Sequence, residues 1–171
     1  MIKKPQPGEY SPYAAGYVAL AIDTDDIVQL LTDLMESTAA LFNSLLADKA
    51  MYSYAPGKWT IKQMLGHMID TERVFGYRAL CFARGEQQNL PGFEQDDYEA
   101  NNNSNQRTLA DLVNEFKAVR LANIYFLKSL TAGQANRLGL ANKYPATAGA
   151  MAYVMAGHEL YHLQLLKDRY L

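Results

Sequence analysis

The sequence predicts an all-α protein, a four-helix bundle with an extended N-terminal arm. Three observations predict it. Four long segments repeat apolar residues at the three- and four-residue spacing of a helix face. Each of these segments opens at or near a threonine, a residue that caps helix N-termini. At 171 residues, 49% of them hydrophobic, the chain has the length and apolar content of one domain, residues 1–171, with a core of its own.

The elements follow in order. Residues 1 to 22 carry Pro5, Pro7, Gly8 and Pro12 among tyrosines, which favours an extended arm lying on the bundle over a helix. Thr24 then reads as an N-cap, with Asp25 and Asp26 where the helix dipole favours negative charge. The first predicted helix carries Ile27, Leu30, Leu31, Leu34, Leu41, Phe42 and Leu45 and ends near Asp48. Pro56 and Gly57 mark a turn, and Trp59 leads into Thr60 as the cap of the second, which runs to about Arg84. Its stripe is Ile61, Met64, Leu65, Met68, Phe75 and Ala79, and Gly66 and Gly76 within it either weaken the helix or mark close contacts.

The polar stretch from Gly85 to Gln106 reads as a long connection with at most a short helix around Asp97. The third helix begins near Thr108 and turns Leu109, Leu112, Val113, Phe116, Val119, Leu121, Ile124 and Leu127 inward. Gly133 to Pro145 interrupts the helical pattern. Thr147 caps the fourth helix, which runs from Ala148 to the carboxyl terminus with Lys167 and Arg169 complementing the dipole of its last turn. Antiparallel packing is the natural arrangement of four such helices, with Leu34, Met68, Phe116 and Met155 buried.

Charge narrows the function. A formal net charge of -2 leaves no basic surplus to hold a phosphate backbone or an anionic membrane, so neither nucleic acid nor membrane is an expected partner. Cys81 is the only cysteine, which excludes an internal disulfide and fits a reducing compartment. Met1 to Pro12 lacks the apolar run of a signal peptide, and Tyr17 to Ile22 is far shorter than the roughly 20 residues that span a bilayer. A cytoplasmic protein is the expectation.

The chain has three histidines. At about 100° per residue the fourth helix sets Met151, Val154, Met155, His158, His162 and Leu165 along one stripe, so both imidazoles face the core. Residues four apart on a helix bring their side chains to about 5–6 Å, close enough for two rings to reach one metal ion. His67 lies at the edge of the second helix's stripe, beside Thr71 and Val74. If the second and fourth helices pack together, it is a third ligand. A single inward histidine is ordinarily a hydrogen-bonded core residue, but burying the pair without a metal leaves several ring nitrogens in need of partners.

His158-Glu159-Leu160-Tyr161-His162 also matches the H-E-x-x-H pattern of zinc metalloproteases, whose Glu is the general base. Those proteases take a third ligand from downstream, and no His, Asp or Glu is suitably placed beyond Asp168. Glu159 also lies about 80° from the centre of the stripe on a helical wheel. A protease is therefore not expected.

Longer stretches of the chain resemble the DinB-like proteins of the DinB/YfiT superfamily. The resemblance rests on Pro7-Gly8-Glu9-Tyr10-Ser11-Pro12-Tyr13, Lys58-Trp59-Thr60-Ile61-Lys62, and Gly66-His67-Met68-Ile69-Asp70-Thr71-Glu72-Arg73. It continues through Tyr77-Arg78-Ala79-Leu80, Phe82-Ala83-Arg84-Gly85 and Leu90-Pro91-Gly92-Phe93 to Ala156-Gly157-His158-Glu159-Leu160-Tyr161-His162-Leu163. It implies an up-down-down-up bundle, a homodimer, and one divalent metal ion, Zn or Ni, held by His67, His158 and His162. Many relatives carry another histidine just before the last ligand, where this chain has Tyr161.

Three imidazoles leave coordination positions open, the arrangement of a catalytic site. Hydrolysis by a metal-bound water is one reading. Asp70, Glu72 and Glu159 are acids near the histidines in sequence that orient a ring N–H or shuttle a proton, or else belong to a solvated helix face. The resemblance adds a second reading, a bacillithiol-type S-transferase in which the thiolate of a low-molecular-weight thiol occupies the open position. The third is a metal-binding or dimerisation module without turnover. An accessible cleft above the histidines distinguishes the enzymes from the module. Cys81 lies away from the stripe with no base nearby in sequence, and reads as a plain thiol.

Overall fold

The computed structural model describes residues 2–171. Its elements are α1 (Ala15–Ala21), α2 (Ile27–Ser44), α3 (Ile61–Arg84), β1 (Asn89–Leu90), α4 (Gln95–Asn101), α5 (Leu109–Lys128), α6 (Ala132–Ala135), β2 (Leu138–Ala141), β3 (Tyr144–Thr147) and α7 (Ala148–Arg169). The long helices α2, α3, α5 and α7 form a four-helix bundle. Three of their starts follow the threonines. Thr60 and Gln63 form a reciprocal capping box at α3, and Thr108 and Thr147 accept from the backbone N–H of Asp111 and Ala150. Gly85 stops α3 in the left-handed region at φ 86°, where its N–H reaches the carbonyls of Cys81 and Phe82.

The start of α2 differs from expectation. Its cap is Asp26, whose carboxylate accepts from Val28 N at 2.9 Å and Gln29 N at 3.1 Å. Thr24 instead donates its hydroxyl to the Asp26 carbonyl, and the charged acceptor two residues later takes the helix N-terminus. The helix also stops earlier, because Leu45 is already extended at ψ 138°.

The arm is without helix only as far as Ser11, and it turns at Gln6–Glu9, where Gly8 takes φ 94°. The Ser11 hydroxyl accepts from Tyr13 N, and Pro12 sits at the first position of a 3-10 turn that runs into α1. Val18 and Ala21 bury the inner face of α1 against α7, so the second half of the arm is a helix. Met1 lies outside the described residues.

In the bundle, α2 packs on α5 and α7, and α3 packs on the same two helices. The consecutive helices α2 and α3 therefore stand at opposite corners, and the α3–α7 contact brings His67 to the other histidines. Leu34, Met68, Phe116 and Met155 are all buried, with Leu31, Phe42, Leu65, Phe82 and Leu112 around them. A Cβ at Gly76 would overlap Asn123 of α5, so this glycine marks a close helix contact.

A small sheet fills part of the interruption between the third and fourth long helices, where no strand was expected. β2 pairs parallel with β1 and antiparallel with β3, with Leu138 opposite Thr147 and Ala141 opposite Tyr144. Asn142 and Lys143 make the turn at φ 50° and 69°, the positive dihedrals of a tight hairpin. Among the described residues no helix is long and apolar enough to cross a membrane.

Candidate metal centre

His67 projects from the second turn of α3, and His158 and His162 project from successive turns of α7. Their side chains meet in the interior. His67 Nε2 lies 3.0 Å from His158 Nε2, and His162 Nε2 lies 3.1 Å from the same atom. One ligand nitrogen from each ring falls within 4.8 Å of the others. The three residues are only 4%, 6% and 6% exposed.

Burial sets their charge. His67 is pushed down to about 4, first by desolvation, with Asp96 acting weakly in the opposite sense. His162 is pushed down to about 3 by desolvation and by His67. Burial and then its two imidazole neighbours hold His158 well below the usual histidine range. All three are neutral at pH 7, the state a ligand must have.

Neutral rings so arranged do not satisfy one another. Each has one N–H and one lone pair, and the single Nε2 of His158 faces two partners, so whichever tautomers are chosen it makes at most one full hydrogen bond. Among the described residues His162 Nδ1 is buried without a partner, and His67 Nδ1 reaches only Thr71 Oγ1 at 3.4 Å. This donor set fits one divalent ion. Bonds of about 2.0–2.1 Å at tetrahedral angles separate two nitrogens by about 3.3 Å, a few tenths of an ångström beyond the spacing found.

Aromatic rings wall the triad. Trp59 lies 4.7 Å from the His67 ring, Tyr17 and Phe75 pack edge-on to His158 at 5.3 and 5.8 Å, and Tyr161 packs edge-on to His162 at 5.2 Å. Gly157 makes the Tyr17 contact possible, since any Cβ there would run into the Tyr17 backbone of α1. Two clefts reach the histidines from outside. One, of about 350 Å³, is lined by His67, Thr71 and His158, and the other, of about 340 Å³, by Trp59, Tyr161 and His162. Asp96 of α4 lines both.

The sequence matches the DinB superfamily over residues 30–166. The chain belongs to the DinB superfamily. A structural relative of this DinB-superfamily chain is YfiT from Bacillus subtilis, described as a probable metal-dependent hydrolase with an unusual four-helix bundle topology. The two share 16% identity, the match covers 97% of this chain and 92% of YfiT, and the TM-score is 0.67. No curated protein matches the sequence.

The acids of this DinB-superfamily site are placed differently from the sequence expectation. Glu72 and Glu159 are buried, not solvated, and both engage Arg120: Nε lies 2.8 Å from Glu72 Oε1, and Nη1 lies 2.7 Å from Glu159 Oε2. Thr38 donates a further hydrogen bond to Glu159, and Arg120 Nη1 donates to the Leu31 carbonyl. Asp70 is half-buried and faces Arg73 at 3.8 Å. None of the three is hydrogen-bonded to a histidine. The carboxylate that lines both clefts is Asp96, from a connection whose sequence gave no sign that it folds back over the triad. Cys81 is half-buried on α3 and lines neither cleft.

Proposed function

We propose that His67, His158 and His162 hold one divalent metal ion, Zn or Ni, and that the chain is a metal-dependent hydrolase of a small-molecule substrate. The observation that carries this reading is the convergence of three buried, neutral Nε2 atoms that cannot satisfy one another. Three imidazoles complete a catalytic set rather than a closed structural one. An ion held this way supplies, from water, a nucleophile usable near neutral pH.

The residues of the chain do the rest. The aromatic walls of Trp59, Tyr17 and Phe75 hold bulk water away from the ligand rings and strengthen charge interactions there. Asp96, at the meeting of the two clefts, is the candidate for proton transfer in place of Asp70, Glu72 and Glu159. The clefts favour turnover over a purely structural module, whose histidines would be sealed by packed side chains. The same reading includes a homodimer, supported by the exposed Tyr77 and Leu80 of α3 and Leu121 and Tyr125 of α5.

Elemental analysis of the purified protein, followed by assay of small esters and amides before and after chelation, tests the proposal. One equivalent of metal is expected, with hydrolysis lost on chelation and restored by Zn or Ni. A protein that neither contains nor takes up stoichiometric metal would overturn it.

A further inference from the structure

A separate cavity of about 250 Å³ lies beside the histidines, walled by Tyr10, Tyr13, Tyr17, Phe75, Phe93 and Tyr144. It joins the arm, α3, the segment before α4 and the hairpin, so it exists only because the arm folds down onto the bundle. Tyr17, Phe75 and Phe93 also line the cleft over His67 and His158, so the two spaces share a wall of three aromatic side chains.

Among the described residues Arg78 is the only charged side chain that lines this cavity. Its Nη2 donates to the Pro91 carbonyl at 2.9 Å, and its guanidinium lies 5.9 Å from the centre of the Phe93 ring. Among the described residues no carboxylate pairs with it, whereas Arg73, Arg107 and Arg120 each engage at least one. A half-buried guanidinium presents a planar fork of donors, and most of that fork has no protein partner here. Desolvating such a charge without a counter-ion is unfavourable, and an anion bound in the cavity would remove the penalty.

We propose that this cavity binds the non-reacting part of the substrate, a flat ring-sized apolar body whose single carboxylate sits on Arg78. The shared aromatic wall sets this cavity next to the cleft over the histidines, where the scissile group would lie. One unpaired cation, with no second positive side chain in the lining, selects a monoanion over a phosphate monoester. The surrounding rings favour an aromatic body through edge contacts, like the 5.3 Å Tyr13–Tyr144 contact that already builds the wall. Only the assignment of the reacting end rests on the hydrolase reading; binding in the cavity does not need the metal.

The experiment is isothermal titration with 3-phenylpropionate and its uncharged amide, on metal-loaded and on chelator-treated protein. The acid is expected to bind both forms, at least tenfold more tightly than the amide. Arg78→Gln is expected to weaken acid binding at least tenfold and leave the amide unchanged. Ala14→Phe, which fills the cavity from the arm and keeps Arg78 in place, is expected to abolish binding of both, with far-UV circular dichroism confirming the fold of each variant. Equal affinity for acid and amide in the wild type would overturn the proposal without recourse to any variant. So would undiminished acid binding in Arg78→Gln, or acid binding seen only with metal present, which would put the carboxylate on the ion. Acid bound by both forms, with no ester or amide hydrolysed by the metal-loaded protein, would leave this cavity standing and remove the hydrolase reading alone.

Discussion

Arg120 Nη1 lies 2.7 Å from Glu159 Oε2, so the acid next to His158 in the chain is committed to a buried ion pair and not to the histidine. With Glu72 on the other side of the guanidinium, the cluster ties α5 to α3 and α7, and the hydrogen bonds to Thr38 and the Leu31 carbonyl add α2. Desolvation alone would lower Arg120 and raise Glu159, and the two carboxylates more than restore the charge on Arg120.

Removing the cation leaves two buried carboxylates facing each other. Arg120→Met is therefore expected to destabilise the fold by about 3–5 kcal/mol, the cost of breaking a buried pair from one side. Urea titration measures it, and a loss below about 1 kcal/mol would mean that water reaches the cluster. Glu159→Gln is expected to lower stability while leaving metal content unchanged, whereas replacing a metalloprotease base would abolish the reaction and spare the fold.

Phe116 is 1% exposed and packs beneath the guanidinium of Arg120, 5.3 Å from ring centre to Cζ. Phe116→Ala is expected to cost about 3–5 kcal/mol, combining lost transfer energy with a residual cavity. Denaturant midpoints at an unchanged m-value are the check, since a changed slope would report a different unfolded or native state.

Much of this was legible in spacing. Thr60, Thr108 and Thr147 marked helix starts because side-chain capping is local chemistry, and His158 and His162 lay on one face because helical phase is fixed. The ion cluster is legible in the spacing too. Arg120 falls between Phe116 and Ile124 on the inward stripe of α5, and Glu72 follows Met68 at the same spacing on α3. Helical phase placed these charges inside. An acidic and a basic residue on inward stripes of different helices require each other, and that was the available signal. Glu159 was harder, because α7 is buried on nearly every side through its first half and has no single inward face.

The rest was not local. The hairpin strands are four residues each, carry Pro145, and turn through Asn142 and Lys143 without the glycine that usually announces positive φ. The return of α4 over the histidines, which places Asp96, depends on tertiary packing alone. The helix in the arm did have a local sign, since Ser11 before Pro12 is a cap followed by a favoured first residue, but the surrounding prolines and Gly16 masked it.

The proposed homodimer is open to a direct measurement. Tyr77, Leu80, Leu121 and Tyr125 are exposed apolar side chains on the adjacent helices α3 and α5, and aromatic residues are favoured in interfaces. Light scattering at tens of micromolar is expected to give the dimer mass, and Leu121→Glu with Tyr125→Glu to give the monomer. A monomer mass for the unaltered protein would remove the dimer.

The pH dependence of the metal-free protein follows from the triad. His67 and His162 ionise at about 4 and about 3 in the fold, and His158 is lowered as well, while in the unfolded chain each titrates near 6.5. Below about pH 6.5 the unfolded chain takes up protons that the folded one refuses, so stability falls with pH from there through the folded values. Above about 6.5 this contribution is complete. Carboxylates held low by ion pairs, such as Glu115 between Arg73 and Arg107, add their own loss in acid, so the histidine part must be read as a difference. Thermal melts of chelated wild type and of a His67→Gln, His162→Gln double variant are expected to diverge as pH is lowered from 7.5 to 5, with the wild type losing more. Added Zn should raise the wild-type melting temperature at pH 7.5, do so less at pH 5, and leave the double variant unmoved, because protons and metal compete for the same nitrogens. Parallel pH curves for the two proteins would show that the buried imidazoles do not carry the acid sensitivity. A melting temperature raised equally by Zn in both would place the bound metal elsewhere in the molecule.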